Sequence, residues 1–208
     1  MTASLKHCAT ELACIALTVP PQRMPALCAS LSAAERSRAA RLRFARHRRR
    51  FIVARAHLRE LLGERLQARP ESIEFSYGPN GKPALAGRFA ASGWRFNLSH
   101  CEELALYAFS RSGEVGVDVE AVRELSDADA IAARFFSPAE GAAYASLAAH
   151  ERPRGFFTCW TRKEALAKGL GSGLAGGLET LDASSPPPGW RLQSFSPAPG
   201  FIAALAWR

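Results

Sequence analysis

The chain lacks an apolar stretch long enough to cross a membrane. Its longest apolar run near the N-terminus, from Leu12 to Val19, is far shorter than the roughly 20 residues that a membrane helix needs. The first residues also lack the clean apolar stretch of a signal peptide, because Lys6 and His7 are soon followed by Glu11. We therefore expect a cytoplasmic protein that makes no membrane contact.

Paired cysteines are absent as well. A thiolate metal site or a redox motif would need clustered cysteines, and the sequence contains no C-x-x-C pair. We expect reduced, mostly buried thiols in a reducing compartment. The widely spaced cysteines are Cys8, Cys14, Cys28, Cys101 and Cys159.

Lysine is scarce, with only four Lys against 23 Arg. Arginine suits planar, bidentate pairing, whereas lysine is a compact point charge that suits a single phosphate oxygen. Three of the four lysines, Lys82, Lys163 and Lys168, recur in the motifs described below. We therefore treat these three lysines as candidate functional residues.

Acidic residues are few in the first half of the chain. Residues 1–104 hold 17 Lys and Arg against 8 Asp and Glu, while residues 105–208 hold 10 against 11. Twelve arginines lie between Arg36 and Arg69, with only Glu60 and Glu64 among them. Such a surplus indicates a polyanionic partner, which could be nucleic acid, a nucleotide phosphate or an acidic protein; the alternative is a solvated Arg-rich helix face.

Helix signals occur in both halves of the chain. Ser32 and Glu35 form a capping box, and apolar residues at helical spacing predict a long helix from Arg46 to Gln67. Three helix starts are predicted in the second half: Ser126 with Asp129, Ser137-Pro138 with Glu140, and Pro153 for the helix that carries Trp160 to Lys168.

Strand patterns alternate with these helices. Leu104–Phe109 and Val115–Glu120 flank a turn at residues 111–114 and so predict a hairpin. We predict an α+β fold of two similar-sized lobes, residues 1–104 and 105–208, each with helices packed on a small, mostly antiparallel sheet. The other predicted strands are Glu11–Val19, Ile73–Tyr77, Trp94–Leu98, Leu178–Leu181, Trp190–Phe195 and Phe201–Trp207.

Two carboxylates stand close together on a predicted strand. Asp118 and Glu120 are two residues apart, so both side chains point to the same face. Carboxylates that close repel each other unless a cation lies between them, and Mg²⁺ takes oxygen ligands. The alternative is a strand end with two solvated acids.

A third carboxylate lies on the predicted helix. Glu164 and Lys168 are four residues apart and share a helix face, which could supply another metal ligand and a phosphate contact. The alternative is an ordinary intrahelical salt bridge.

Polar residues at a strand end and in a turn complete the candidates. Ser99 and His100 follow Asn97, but adjacent strand residues point to opposite faces, so a hydrolase triad is disfavoured and phosphate binding is the better functional interpretation. A structural histidine is the alternative. The turn with Gly81 and Lys82 lacks the spacing of a Walker loop, although its glycines permit close approach to a ligand.

The order and spacing of these motifs resemble those of the Sfp-type 4′-phosphopantetheinyl transferases. That family shows a G-K-P turn, an N-[IL]-S-H strand, G-[IV]-D-[IV]-E and W-[ST]-x-K-E-[AS]-x-x-K. The matching segments here are Gly81 to Pro83, Asn97 to His100, Gly116 to Glu120 and Trp160 to Lys168.

The resemblance implies an enzyme that moves 4′-phosphopantetheine from coenzyme A to a serine of an apo acyl or peptidyl carrier protein and releases 3′,5′-ADP. It implies Mg²⁺, with Mn²⁺ as a substitute, held by Asp118, Glu120 and Glu164. Lys168 is expected to act on a phosphate. The residues expected to bind coenzyme A are Arg55, Gly81, Lys82, Asn97, Ser99, His100 and Lys168.

For the catalytic base, the resemblance leaves Glu164 as first choice and Glu140 as alternative. It also implies two lobes in a pseudo-twofold arrangement with the active site between them, a monomer, and no nucleic-acid partner. Two other functions stay open: a nucleic-acid-binding module built on the arginines, and a different Mg-dependent enzyme that cleaves a pyrophosphate.

Overall fold

The computed structural model describes residues 3–7, 10–173 and 177–208. Within these ranges, six helices and nine strands form an α+β fold, as the sequence predicts. The helices are α1 Met24–Ala29, α2 Ala33–Ala40, α3 Ala45–Leu66, α4 Ala128–Phe135, α5 Pro138–Ala145 and α6 Arg152–Leu170. The strands are β1 Ala3–His7, β2 Thr10–Ala16, β3 Phe75–Tyr77, β4 Pro83–Leu85, β5 Arg95–Cys101, β6 Leu104–Ser110, β7 Val115–Ala121, β8 Arg191–Phe195 and β9 Phe201–Trp207.

All strand pairs are antiparallel, and they form two main sheets. One has the order β1-β2-β6-β5, the other β7-β9-β8, and β3 with β4 makes a separate hairpin. Helix α3 covers the first sheet, where the Tyr107 hydroxyl donates to the carbonyl of Ala54 at 2.9 Å. Helix α6 covers the second sheet and packs Leu166 near Ala204. Each sheet thus buries one face under one long helix.

The predicted hairpin between Leu104–Phe109 and Val115–Glu120 is wrong. β6 pairs with β5 across the two-residue turn at Glu102 and Glu103, while β7 pairs with β9 from the far end of the sequence. Glu102 adopts a left-handed φ of 51°, which that tight turn requires. The division between the sheets therefore falls at residues 111–114, later than the predicted boundary at residue 104.

The helix predictions fare better than the terminal strand predictions. Both Ser32 and Ser137 form complete capping boxes with the glutamates three residues later. Ser126 caps nothing, because α4 begins after Asp127 without a side-chain cap. Leu178–Leu181 is a 3₁₀ turn over Leu178–Thr180 rather than a strand.

In the described part of the chain, no helix combines the length and apolarity needed to cross a membrane.

The four cysteines whose side chains are described are free and partly buried: Cys14, Cys28, Cys101 and Cys159. Cys8 lies outside the described residues. Each of the four is only partly buried, where the sequence predicts mostly buried thiols, and their reduced state stays a prediction.

Strands β5 and β7 lie side by side and join the two sheets through side chains. The amide oxygen of Asn97 accepts from the backbone N–H of Val117 at 2.9 Å, and the Cys101 sulfur accepts from that of Ala121 at 3.4 Å. In both contacts the two residues are 20 apart in sequence, so the residue numbers rise together along the two strands and the strands run parallel. We call this contact the β5–β7 seam.

A glycine brings helix α6 unusually close to β7. A Cβ atom added to Gly116 would lie 2.0 Å from the carbonyl oxygen of Ala165 and 2.4 Å from the backbone nitrogen of Gly169. Only glycine permits this contact between backbones. As a result, the side chains of α6 that face the seam come within hydrogen-bond distance of β5 and β7.

Candidate active site

A cleft of about 660 Å³ opens along the seam. The first half of the chain lines it with α3, β5 and the turn at residues 78–83, and the second half with β7 and α6. Ten of the predicted site residues line this single cleft: Arg55, Gly81, Lys82, Asn97, Ser99, His100, Asp118, Glu120, Glu164 and Lys168. Glu140 is the predicted residue that the structure places elsewhere.

Asp118 is the centre of the polar contacts in the cleft. Its Oδ1 accepts from the Lys168 ammonium at 2.6 Å and from the Ser99 hydroxyl at 2.7 Å, and Lys168 also donates to Ser99 at 3.1 Å. The other carboxylate oxygen, Oδ2, is buried and has no hydrogen-bond partner among residues 3–7, 10–173 and 177–208. A buried, unpartnered carboxylate oxygen carries a desolvation cost, so this atom is poised to accept a ligand.

Glu164 faces the same point from helix α6. Burial, together with the charges of Asp118 and Glu120, raises its pKa to about 7 against the opposing charge of Lys168. The three predicted carboxylates are therefore close enough to repel one another. The i,i+2 spacing on β7 puts Asp118 and Glu120 on one face of the strand, and the i,i+4 spacing on α6 puts Glu164 and Lys168 on one face of the helix, so all four line the cleft.

The residue types and charges in this corner fit a hard divalent cation. Asp118 offers a free oxygen, and Glu164 has an unfavourable charge that a cation would relieve. Glu120 is partly engaged, because its Oε2 lies 3.3 Å from the guanidinium of Arg123. Across the described ranges, no three Asp, Glu, His or Cys side chains already converge as a ligand set.

His100 stands at the rim of the cleft and reaches solvent. The surrounding protein still desolvates its ring, and with the positive charges of Lys168, Arg50 and His47 it lowers the pKa of this histidine. The imidazole is therefore neutral at pH 7 and sits in a positive field. The neighbouring Ser99 hydroxyl donates to Asp118 and accepts from Lys168. Its hydrogen bonds therefore go to these two residues, as expected if Ser99 and His100 do not act as nucleophile and base.

Arg55 supplies a buried cation to the cleft. Its Nη2 donates to the Tyr77 hydroxyl at 2.7 Å, and its Nε lies 3.6 Å from Glu35, while its Nη1 has no partner within the described part of the chain. Glu35 also pairs with Arg59 at 2.8 Å. The Glu35 carboxylate thus faces two guanidinium groups and balances only one of their charges. Arg55 therefore keeps a positive charge and one N–H donor at the cleft wall.

The turn at residues 78–83 reaches across the cleft to the end of helix α6. Lys82 donates to the carbonyl of Gly169 at 2.8 Å and pairs with Glu114 at 2.7 Å. Asn80, which the sequence indicates only as a turn former, donates to the carbonyls of Gly171 and Ser172 at 2.9 and 2.8 Å. The Gly169 carbonyl is one of those that every helix C-terminus leaves unpaired, while Gly171 and Ser172 lie just beyond the end of α6. The turn therefore holds the helix that carries Glu164 and Lys168.

Asn97 also supports the site from within the seam. It is buried, and its amide oxygen is used by β7, so the group facing a ligand is at most the amide nitrogen.

Glu140 lies outside the cleft, in a buried network. Its Oε2 accepts from Lys163 and from the backbone of Ser137, both at 2.7 Å, and its Oε1 accepts from the backbone of Ala183 at 2.7 Å. Lys163 is fully buried. Both carboxylate oxygens are committed, and Glu140 borders a different cavity of about 750 Å³ between α5 and α6.

Comparisons with known proteins agree with this geometry. A model of the 4'-phosphopantetheinyl transferase superfamily matches residues 114–198, and a model of the N-terminal part of 4'-phosphopantetheinyl transferases matches residues 20–112. The boundary between the two matches coincides with the division between the two sheets.

Individual relatives extend over much of the chain. The 4'-phosphopantetheinyl transferase HetI of a Nostoc species is 39% identical over 201 residues, which cover 92% of this chain and 84% of HetI. The 4'-phosphopantetheinyl transferase AcpT of Escherichia coli is 35% identical over 137 residues, covering 66% of this chain and 65% of AcpT. Together with the two family matches, these relatives show that the chain belongs to the 4'-phosphopantetheinyl transferase superfamily.

Proposed function

We propose that the enzyme transfers 4′-phosphopantetheine from coenzyme A to a serine of an apo acyl or peptidyl carrier protein, releasing 3′,5′-ADP in a Mg²⁺-dependent reaction for which Mn²⁺ is a substitute. The observation that carries this proposal is the single cleft that gathers three carboxylates on one side and Arg55, Lys82 and His100 on the other. Its volume lies within the range of roughly 300–1,000 Å³ that is usual for ligand sites.

Asp118, Glu120 and Glu164 would hold the divalent cation in this proposal. The unpartnered oxygen of Asp118 and the raised pKa of Glu164 support that assignment. When bound, the cation would neutralise charge on the pyrophosphate of coenzyme A.

The basic side chains would bind the phosphates of coenzyme A. Arg55 has a spare N–H donor, and His100 becomes a cation when a phosphate supplies the opposite charge. Lys168 is partly exposed and reaches Ser99 and Asp118, so it is placed to stabilise the phosphate that leaves. Positioning and charge neutralisation account for most of the catalysis in phosphoryl transfer.

Glu164 is the first choice for the base that takes the proton of the carrier serine, directly or through a water. In the cleft without a cation its pKa is about 7; a bound cation would lower this pKa and make Glu164 a weaker base, which favours transfer of the proton through a water. The serine oxygen bonds to the phosphorus of the phosphopantetheine, the bond from that phosphorus to the bridging oxygen breaks, and 3′,5′-ADP leaves. Glu140 is not used for this step, because both its oxygens are engaged in the buried network.

A monomer and a cytoplasmic location belong to the same proposal. One chain supplies both walls of the cleft, so a second copy is not needed to complete it. Nucleic acid has no part in the reaction proposed.

Intact-protein mass spectrometry of an apo carrier protein tests this function. Incubation with the enzyme, coenzyme A and Mg²⁺ should add one phosphopantetheine to the carrier, and EDTA should prevent the addition. Glu164→Gln should slow the transfer by roughly 10²- to 10⁴-fold, because it removes a base and a charge. Glu179→Gln, the same change at an exposed position, is the control and should leave the rate unchanged.

Two results would contradict the proposal. Unchanged transfer by Glu164→Gln would exclude this residue as both base and metal ligand. Release of 3′,5′-ADP from coenzyme A at the same rate without any carrier protein would indicate a pyrophosphate hydrolase instead.

A further inference from the structure

The hairpin of β3 and β4 carries Asn80 in its turn. Two backbone hydrogen bonds close this turn, from Gly78 to the carbonyl of Lys82 at 3.0 Å and from Gly81 to that of Gly78 at 2.9 Å. Asparagine is common in tight turns because it tolerates a left-handed backbone. Here the left-handed φ, 77°, belongs to Gly81 and not to Asn80. The conformation of the turn therefore does not account for Asn80, and its side chain has to be considered.

The Asn80 side chain reaches the segment that follows α6. Its amide nitrogen donates to the carbonyls of Gly171 and Ser172 at 2.9 and 2.8 Å. Gly173 lies directly against it, because a Cβ atom added there would be 2.8 Å from the Asn80 Cβ. An amide nitrogen carries two N–H groups, and these two carbonyls use both of them. Although Asn80 lines the cleft, it thus has no N–H left for a phosphate.

The hairpin is itself fixed to the first half of the molecule. Phe75, at its base, packs against Phe96 of β5 with the ring centroids 5.7 Å apart. Tyr77 accepts a hydrogen bond from Arg55 of α3 at 2.7 Å. Asn80 therefore connects a fixed part of the first half to the end of α6.

The end of α6 has little helical preference of its own. Its last residue, Leu170, is 41% exposed, and the left-handed Gly171 follows it. Three of the five residues from 169 to 173 are glycines. Glycine gains more conformational freedom than other residues when a helix end opens. The last turn of α6 therefore depends on outside contacts to stay closed.

Lys168 depends on this last turn more than Glu164 does. Its ammonium has to reach both Asp118 at 2.6 Å and Ser99 at 3.1 Å. Glu164 lies one turn earlier, between two residues that are fully buried. Opening of the helix end would thus move Lys168 away from its partners and leave Glu164 in place.

We infer that Asn80 is a positioning residue for Lys168, because it fixes the last turn of α6 from the other half of the molecule. This inference rests on the proposed function, in which Lys168 stabilises the leaving phosphate. It adds a residue that acts on this step through the helix and not by contact with the substrate. Loss of Asn80 should therefore lower the rate of transfer and not the binding of coenzyme A.

The test removes the two donors of Asn80 and follows both the helix end and the reaction. In Asn80→Ala, amide hydrogen exchange in the last turn of α6 should become roughly 5- to 100-fold faster, as the loss of two ordinary hydrogen bonds implies. Exchange earlier in α6 should stay unchanged. Gln22→Ala, which removes an exposed amide elsewhere, is the matched control and should change nothing.

The kinetic effect should appear in kcat. Asn80→Ala should lower kcat by roughly 3- to 30-fold, because Lys168 is then misplaced in part of the molecules. The dissociation constant of coenzyme A, measured by calorimetry, should change by less than about twofold. The Mg²⁺ concentration that gives half-maximal transfer should also change by less than about twofold, since the three carboxylates stay in place.

A double-mutant cycle connects the effect to Lys168. Lys168→Ala lowers kcat by itself, and adding Asn80→Ala should then lower it by less than about twofold, because the group that Asn80 positions is gone. An equal loss from Asn80→Ala in both backgrounds would show that Asn80 acts on another group and would overturn the inference.

Three other results would also overturn it. Weaker coenzyme A binding with an unchanged kcat would make Asn80 a ligand contact. Unchanged exchange in Asn80→Ala would show that its hydrogen bonds do not hold the end of α6. Faster exchange with an unchanged kcat would show that this hold does not serve the reaction. Exchange is measured without substrates, so it tests the hold even where no transfer occurs, and absence of transfer by the unmodified enzyme would count against the proposed function instead.

Discussion

Each half of the molecule buries a glutamate in a similar setting. Glu35 and Glu140 both occupy the third position of a short helix, and both complete a capping box there. Each also pairs with a cation from the long helix that follows: Glu35 with Arg59 of α3 at 2.8 Å, and Glu140 with Lys163 of α6 at 2.7 Å. This is the kind of correspondence that a pseudo-twofold relation between the lobes predicts.

The cluster around Glu35 and the cluster around Glu140 differ at the residue that lies one helical turn before the paired cation. Four residues before Arg59 stands Arg55, whereas four residues before Lys163 stands Cys159. Burial raises the pKa of Cys159 to about 12, so this thiol is uncharged, and every oxygen of Glu140 is used. In the first half, by contrast, Glu35 Oε1 and Arg55 Nη1 have no hydrogen-bond partner among the residues that the structure describes.

The same structural arrangement can therefore support either stability or binding. In the cluster around Glu140, one carboxylate is paired with one cation, and this balanced cluster holds α5, α6 and the segment at Ala183 together. An unbalanced cluster keeps a cation and a free donor at the cleft wall, where an anionic ligand can complete it.

Breaking the ion pair between Glu140 and Lys163 should give the largest of the expected effects, a loss in the free energy of unfolding. Lys163→Met leaves a buried carboxylate without its cation, so it should lower the free energy of unfolding by about 3–5 kcal/mol in urea titrations. Lys163→Met/Glu140→Gln should recover part of this loss, because no unpaired charge is then buried. A loss below about 1 kcal/mol for the single variant would show that the pair does not support the fold.

Removing the extra cation of the first half should affect binding instead. Arg55→Met should weaken coenzyme A binding by roughly 10- to 100-fold, since a charged donor to a phosphate is lost. Its free energy of unfolding should fall by less than about 1 kcal/mol, because Glu35 keeps Arg59 and the cluster becomes neutral. Calorimetry and urea titration measure the two effects. A large loss of stability with unchanged binding would reverse the comparison between the clusters.

The pH dependence of binding extends the comparison to His100. Its lowered pKa leaves the ring neutral in the free enzyme, and a bound phosphate would favour the protonated form, so binding takes up a proton. Coenzyme A should therefore bind more tightly as the pH falls from about 8 to about 6, by up to roughly tenfold. His100→Gln should flatten this dependence in calorimetric titrations. An identical slope in that variant would assign the proton to another group.

The smallest effect is expected at Cys159. Cys159→Ala removes only a neutral, partly buried thiol, so it should change the free energy of unfolding by at most about 1 kcal/mol and leave transfer intact. Loss of transfer in this variant would show that the second cluster also serves the reaction.

Local spacing accounts for what the sequence predicts correctly. The alternation of a strand places Asp118 with Glu120, and the helical repeat places Glu164 with Lys168, whatever the rest of the fold does. The family resemblance then brings these motifs into one site. Ten of the eleven predicted site residues line the cleft for these reasons.

Long-range packing accounts for what could not be predicted. Strand patterns do not say which strand is the partner, so the sequence predicts β6 as the partner of β7, whereas β7 pairs with β9. Asn80 resembles any turn asparagine until the end of α6 is seen against it. Glu140 carries the same capping signal whether or not its second oxygen is free, and only the buried Lys163 and Ala183 contacts decide this.

The position of β9 in the second sheet has a consequence for the order of assembly during synthesis. Asp118 lies on β7 opposite Ala204, so its strand has no ladder partner until residues 201–207 have left the ribosome. The basic wall, built from α3 and β5, can fold long before the carboxylate wall is held in place. A chain interrupted before Phe201 would thus carry the acids on a strand that still lacks its ladder partner, which makes the intact active site a late product of translation.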